Sequence, residues 1–384
     1  MVFFRSDNII TSLGNTTQEN FTSMANDKIG ITTIDDYEIY PEKFPASMID
    51  EKRLNKEFKN SAVKYSKYDS YTKLEKMLIS SIHDALENSD IDITSPRTGI
   101  ILSTTKGNID LLSNNSKTSI DPERVMLWRL GDEIQSFFNN PNKVVVISNA
   151  CISGVLAINT AAMYIEAGMF DNIVITGGDL VTRFVVTGFM SFLALSPTAC
   201  KPFDINRDGL SLGEAAGTII LSKDQNSNQP NLITKGGASA NDANHISGPS
   251  RDGEGSFIAI KKALIQADIQ SEQIDHISAH GTATPYNDEM ESISIDRHNL
   301  LKAPVNSIKS YLGHTLGAAG IVETVILLEE MRQNTLLKSA GFEKLGVSRP
   351  INIVNKLAKI EIRNCLKLAS GFGGCNAAIV ISKV

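Results

Sequence analysis

Short apolar runs rich in β-branched residues recur along this chain. Each ends in small or glycine residues, and most lead into a segment of helical character. The first half carries Thr98–Ser103 (TGIILS), Val144–Ile147 (VVVI), the run from Asn172 (NIVITGG) and Glu214–Ser222. The second half opens at Leu232 and continues with Ile274–Ser278, Cys365–Ser370 and Ala377–Ser382. Helices are expected over 64–88, where Leu74, Met77, Leu78, Ile82 and Leu86 keep helical spacing, and over 122–138, from Cys151 to about Ala167, over 255–267 and over 321–331. Strands alternating with helices predict an α/β architecture with buried, largely parallel strands. Each half reads strand, reactive residue, helix, strand, which suggests a duplication without a letter-for-letter repeat. The polar stretch 224–231 (DQNSNQPN) marks a boundary, giving tightly packed halves at 1–230 and 231–384. The first sixty residues read as polar and irregular.

Composition narrows the class. Of 384 residues, 42% are hydrophobic and 21% charged, which is ordinary for a soluble globular protein. A net charge of -6 argues against a nucleic-acid binder, yet leaves room for a small basic patch facing an acidic partner. Four scattered cysteines do not make a disulfide framework, and no Cys-x-x-Cys pair suggests a metal site. The N-terminus lacks a signal-peptide pattern, and no window is apolar for the roughly 18 residues a membrane span needs. A cytoplasmic protein with no membrane partner is expected.

Cys151 follows the run Val144–Ile147 and precedes an apolar, Ala-rich segment, which sets a thiol at the turn between a strand and a helix N-terminus. The positive end of a helix favours thiolate over thiol, and backbone N–H groups at such a turn can bind an oxyanion. Two further segments have the same style, Ser278-Ala-His-Gly-Thr-Ala-Thr and Asn306-Ser-Ile-Lys-Ser-Tyr-Leu-Gly-His-Thr-Leu-Gly. Each sets a histidine, His280 or His314, beside glycine after an apolar strand. His83, His276 and His298 read as structural.

In order and motif, Cys151, His280, Lys309 and His314 resemble a β-ketoacyl-acyl carrier protein synthase of the elongating Cys-His-His type, within the thiolase superfamily. Lys201-Pro-Phe-Asp-Ile-Asn-Arg-Asp-Gly-Leu, Gly213-Glu-Ala-Ala-Gly, Asp242-Ala-Asn-His-Ile-Ser-Gly-Pro, Asp252-Gly-Glu-Gly and Gly371-Phe-Gly-Gly support the resemblance, which runs from about Ile9 to the C-terminus. It implies a thiolase-like five-layer αβαβα fold with two pseudo-duplicated halves and a homodimer, with a heterodimer as the alternative. It implies no cofactor, because substrates ride on the phosphopantetheine of acyl carrier protein.

The implied reaction is the decarboxylative Claisen condensation of a Cys151-bound acyl group with malonyl-acyl carrier protein in type II fatty acid synthesis. His280 and His314 would bind malonyl and stabilise the enolate. Lys309 would orient them, Glu323 would balance its charge, and Asp288 would support the loop. The backbone N–H groups of Cys151 and Phe372 would form an oxyanion hole, with Gly371 and Gly373 allowing close approach. Phe372 would also act as a gate. Thr282 and Thr284 would hold the phosphopantetheine arm, and Arg207, Lys67 and Lys64 are candidate contacts for the carrier protein.

The chain departs from the family in three places. The first strand lacks the usual Thr-Gly and reads as shortened, Cys375 replaces a common histidine, and Ile152-Ser153 stands where relatives often carry Ala-Thr. The alternatives are a ketosynthase of an aryl polyene or polyketide pathway, a non-catalytic chain-length partner, and a thiolase acting on coenzyme A esters, for which Cys375 is the reason.

Overall fold

In a computed structural model that describes residues 1–65, 70–113, 121–225, 230–242, 244 and 248–384, the apolar runs pair into an eleven-stranded sheet. The first half contributes β1 (Val2–Ile10), α1 (Thr17–Ala25), α2 (Glu51–Tyr65), α3 (Lys73–Glu87), β2 (Thr98–Ser103), α4 (Leu127–Phe138), β3 (Val145–Ile147), α5 (Ser153–Glu166), β4 (Asn172–Asp179), α6 (Arg183–Ser191) and β5 (Ala215–Ser222). The second contributes β6 (Leu232–Asn241), α7 (Glu254–Ala267), β7 (His276–Ser278), α8 (Pro285–Arg297), β8 (Pro304–Asn306), α9 (Lys309–Leu312), α10 (Ala319–Gln333), β9 (Asn352–Ile353), β10 (Asn364–Gly371) and β11 (Cys375–Lys383).

The strand order is β9-β8-β7-β10-β11-β6-β1-β5-β4-β2-β3. Leaving aside the short edge strand β9, the strands of each half, counted in chain order within that half, lie in the order third, second, fourth, fifth, first. In each half the first three positions are parallel and the last two antiparallel. The expected largely parallel sheet is therefore mixed. The reason is visible at β10 and β11, where the three residues Phe372–Gly374 reverse the chain, too few for the helical crossover a parallel pair requires. Val2 and Phe3 of β1 pair with Thr234 and Ile233 of β6 and join the two halves.

Three apolar clusters separate five layers. α3 and α4 cover the outer face of the first half, and α7 covers that of the second with α8 beside it. α5 and α10 lie between the halves and touch strands of both. This is the thiolase-like fold. α10 is buried over almost its whole circumference, as a central-layer helix must be. The two central helices cross on glycine. A Cβ on Gly154 would stand 2.7 Å from Ile321 N, and one on Gly320 would stand 2.4 Å from Val155 N. The helix N-termini consequently meet at one point, beneath Cys151.

Three further expectations are corrected. The N-terminus is not irregular and its first strand is not shortened: β1 is a nine-residue strand at the centre of the sheet, between β5 and β6. Arg5, Asp7 and Asn8 disguise it, because their partners Asp90, Arg332 and the Asn15 carbonyl lie elsewhere in the fold. The helix expected over 64–88 is two helices. The first ends at Tyr65, and Thr72 starts the second through a capping box, its hydroxyl accepting from Glu75 N at 3.1 Å while the Glu75 carboxylate accepts from Thr72 N at 2.8 Å. The strand before Cys151 is half-buried rather than buried, since among the described residues β3 has a neighbour on one side only.

Candidate active site

Three loops converge at the point where the central helices begin. Cys151 lies between β3 and α5, one residue before the helix N-cap Ile152. Ala150, just before it, has φ +44°, a left-handed conformation that costs a non-glycine residue about 1–2 kcal/mol. Ser153 holds this bend, its Oγ donating to Ala150 O at 2.6 Å and accepting from Asn149 N at 2.8 Å. Gly371 at the end of β10 runs alongside, so closely that a Cβ there would stand 3.1 Å from Cys151 N. A side chain there would require the Cys151 turn to shift by a few tenths of an ångström.

His280 follows β7. Its backbone N–H and that of Gly281 donate to the two oxygens of the Glu291 carboxylate at 2.7 and 2.6 Å, and Thr282 N donates to Asp288 Oδ1 at 3.0 Å. Burial pushes both acids up, Asp288 to about 6 and Glu291 to about 7. His314 is held from the first half of the chain. Its N–H donates to Ser211 O at 2.7 Å and its carbonyl accepts from Gly213 N at 3.0 Å. Asp179, at the end of β4, accepts from Gly317 N at 2.7 Å and from Thr105 N at 2.9 Å, which clamps the same loop.

Cys151 Sγ and the two imidazoles place their polar atoms within 4.8 Å of one another, all buried, and the rings lie 5.2 Å apart at 84°. The tautomers follow from the partners. Lys309 Nζ donates to the His280 carbonyl at 2.6 Å and lies 3.2 Å from His280 Nδ1; an ammonium has no lone pair, so Nδ1 accepts. Leu316 N donates to His314 Nδ1 at 3.3 Å. Each ring therefore carries its proton on Nε2, and His314 Nε2 has no partner among the described residues. Burial first, and Lys309 second, hold both histidines well below the usual imidazole range. Two neutral N–H donors aimed at one point suit an oxyanion. They do not suit a metal ion, which needs the lone pair at Nε2.

Burial also governs the thiol. It pushes Cys151 up to about 12 against the opposing pull of Lys309, so the resting residue is a thiol and not the thiolate expected from its helix position.

Lys309 is itself buried and ion-paired with Glu323 Oε1. The other carboxylate oxygen, Oε2, lies 2.6 Å from Nζ of Lys367, a fully buried lysine on β10 that sequence reasoning passed over. Its signal was available: a lysine in the apolar run Cys365-Leu-Lys-Leu-Ala of an interior strand. Glu291 and Asp179 were missed too, as acids in polar surroundings whose backbone partners only the fold reveals.

A cleft of about 480 Å³ opens from this point, and Cys151, His280, His314, Thr282, Thr284 and Phe372 line it. The Thr282 and Thr284 hydroxyls bond to each other at 2.9 Å. Phe372 is 37% exposed and stands against Phe189 and Phe192 with ring centroids at 5.7 and 5.4 Å, so it is no core aromatic. Gly373, next in the hairpin, needs φ +88°. Cys375 donates its thiol to Phe372 O at 3.3 Å. Arg207 donates through its two terminal nitrogens to the carbonyls of Asp204, Gly346 and Pro285, the last beside the cleft mouth. Lys64 is ion-paired with Glu87 and is not part of the cleft lining, while Lys67 lies outside the described residues.

A buried thiol, two imidazole donors and a charged support, set where two central helices meet in a thiolase-like fold, define a condensing enzyme. The chain matches the Beta-ketoacyl synthase, N-terminal domain over residues 7–227 and the Beta-ketoacyl synthase, C-terminal domain over 232–343, and it belongs to the beta-ketoacyl synthase family. It is 27% identical over 413 residues, 97% of each chain, to a putative mitochondrial 3-oxoacyl-[acyl-carrier-protein] synthase of Schizosaccharomyces pombe. It is 29% identical to 3-oxoacyl-[acyl-carrier-protein] synthase 2 of Vibrio cholerae, over 78% of this chain and 80% of that one. Among solved structures, the ketosynthase ApeO in complex with its chain length factor ApeC from Xenorhabdus doucetiae superposes with a TM-score of 0.87 at 23% identity, over 100% of this chain and 98% of that one. The protein is thus an acyl-transferring condensing enzyme. Ketosynthases of this family use substrates carried on the phosphopantetheine arm of an acyl carrier protein and no separate cofactor.

Proposed function

We propose that this chain is the elongating ketosynthase of a type II fatty acid system and that it works by a ping-pong cycle. An acyl-carrier protein presents its thioester to Cys151. The carbonyl–sulfur bond to pantetheine breaks, a new thioester forms at Cys151 Sγ, and the thiol proton leaves on the pantetheine sulfur. The N–H groups of Cys151 and Phe372 stabilise the tetrahedral oxyanion. Malonyl-carrier protein then enters the same cleft with its thioester oxygen toward Nε2–H of His280 and His314. The bond to the carboxylate breaks, CO2 leaves, and the electron pair stays as the enolate. Its carbon attacks the Cys151 thioester, the thiolate departs and takes one proton from solvent, and a 3-ketoacyl-carrier protein two carbons longer is released.

The observation that carries this reading is the convergence of the thiol with two imidazoles whose Nδ1 atoms are already occupied. Lys309 orients His280 and Glu323 balances Lys309. Asp288 braces the loop, and Thr282 and Thr284 hold the arm. Gly371 and Gly373 set the gate loop that swings Phe372. Arg207, Lys67 and Lys64 are assigned to carrier-protein contact. Residues 1–230 supply the nucleophile and 231–384 the rest, in a cytoplasmic homodimer.

Mass spectrometry of Cys151 after exposure to a panel of acyl-carrier proteins tests the proposal. Loading with saturated acyl groups followed by two-carbon extension supports fatty acid synthesis, whereas selective retention of polyunsaturated or polyketo chains reassigns the enzyme to a specialised pathway. Condensation by a Cys151→Ala variant would overturn the assignment altogether.

A further inference from the structure

Lys367 takes no part in the cycle above, yet it is fully buried against the groups that do. Its Nζ makes a close ion pair with Glu323 Oε2 at 2.6 Å, without hydrogen-bond alignment. It donates to the carbonyl oxygens of Leu368 at 2.7 Å and of Ser278 and Ala279 at 3.3 Å. Ser278 and Ala279 immediately precede His280. One carboxylate thus serves two ammonium groups, Lys309 on Oε1 and Lys367 on Oε2. A Lys309–Glu323 pair alone would be neutral and would still orient His280. Burial lowers the Lys367 ammonium from the usual lysine range while the Glu323 carboxylate opposes that shift; protonated, the second lysine leaves the cluster with one positive charge in excess, a costly arrangement to bury.

The groups facing that charge are few. His280 and His314 lie above it. Glu291, on α8, is a neighbouring acid, and since burial holds it up at about 7 it carries only part of a negative charge near neutral pH. Asp288, beside it, is held at about 6 and is tied to Thr282 N and Phe203 N. Burial comes first among the causes that keep both imidazoles neutral, then Lys309, with Lys367 contributing in the same direction.

We propose that Lys367 is a positioning residue of the condensation: sharing Glu323 with Lys309, it keeps one excess positive charge beneath His280 and His314, which holds both rings as neutral Nε2–H donors and favours the enolate formed between them. The proposal rests on the roles given to the two histidines under Proposed function. A nearby positive charge disfavours imidazolium, so removing it raises the pH at which the donors are lost.

The test uses the full-length protein with 15N-labelled histidine. NMR reads the histidine titration without substrate, and the pH profile of malonyl-carrier-protein decarboxylation reads it in turnover. Lys367→Met keeps the stem and leaves Lys309 paired with Glu323. Both acid-side midpoints are expected to rise by about one pH unit or more, the size of a unit-charge effect within about 12 Å at an effective dielectric near 20. Lys367→Arg keeps the charge and the wild-type midpoints. The double variant Glu323→Gln/Lys367→Met restores one excess charge and returns the midpoints toward wild type. If Lys367→Met fails to fold, Glu323→Gln compared with the double variant reads the same unit charge, and the double variant must titrate higher. Coincident midpoints in Lys367→Met and wild type, or an equal shift in Lys367→Arg, overturn the proposal. Histidines that titrate as expected in a wild-type protein unable to decarboxylate malonyl-carrier protein would instead overturn the functional reading.

Discussion

The turn that carries Cys151 and the loop that carries His314 occupy the same station in the two halves of the fold. Each follows the third strand of its half, β3 or β8, and leads into a central helix, α5 or α10. Each helix has a glycine as its second residue, Gly154 or Gly320, and the two helices cross there. The connections differ in length and charge. Residues 148–152 make a short bend holding one neutral thiol, while residues 307–318 make a longer loop that buries Lys309 and positions His314. One architectural slot has thus been given two chemistries: a strained short bend presents a nucleophile, and a longer loop has room for an ammonium and its carboxylate. Electrostatic support from the second half reaches the first because the helices touch on glycine.

The comparison can be broken from either side. The largest effect is expected from Cys151→Ala, which removes the acyl acceptor; condensation should fall by about 10³-fold or more while malonyl-carrier protein still binds, measured by product mass spectrometry and by titration of binding. Gly320→Val should come next. Its side chain would meet the backbone of Val155 and Gly154, forcing the helices apart at a cost of about 3 kcal/mol, and chemical denaturation should show that loss. A variant as stable as wild type would refute the glycine crossing.

Lys309→Met should lower decarboxylation by about 10²-fold, since His280 loses the donor that fixes its tautomer, whereas Cys151 loading should suffer less. Equal losses in both half-reactions would erase the division of labour. Burial holds the Cys151 thiol protonated, so its alkylation by iodoacetamide should quicken about tenfold per pH unit with no plateau below pH 10; a plateau near neutrality would restore the thiolate expected from the helix end. The smallest effect belongs to Gly373→Ala. The site has open space, so only the left-handed backbone is strained, at about 1 kcal/mol, and the change should appear in the extension rate through the gate loop more than in folding.

Much of the fold was legible. The runs read at 98–103, 172–178, 214–222 and 377–382 are largely apolar, and the burial of the strands they form, on both faces, follows from that. β1 was not legible, because Arg5 and Asp7 break its pattern and pair with Asp90 and Arg332, distant in the chain. Mixed pairing was equally hidden, since strand direction depends on which runs become neighbours.

The sequence by itself determined the types of chemistry present and their local settings: a thiol after a strand, two histidines in glycine turns, a lysine after an apolar run. Those are properties of neighbouring residues, written within a few positions of one another. Tertiary structure alone decided that the thiol rests protonated, that both imidazoles expose Nε2–H, and that Glu323 is shared between Lys309 and Lys367. Each of these depends on burial and on donors brought from far along the chain, and the free energy of a proton or a charge is set by what surrounds it in space.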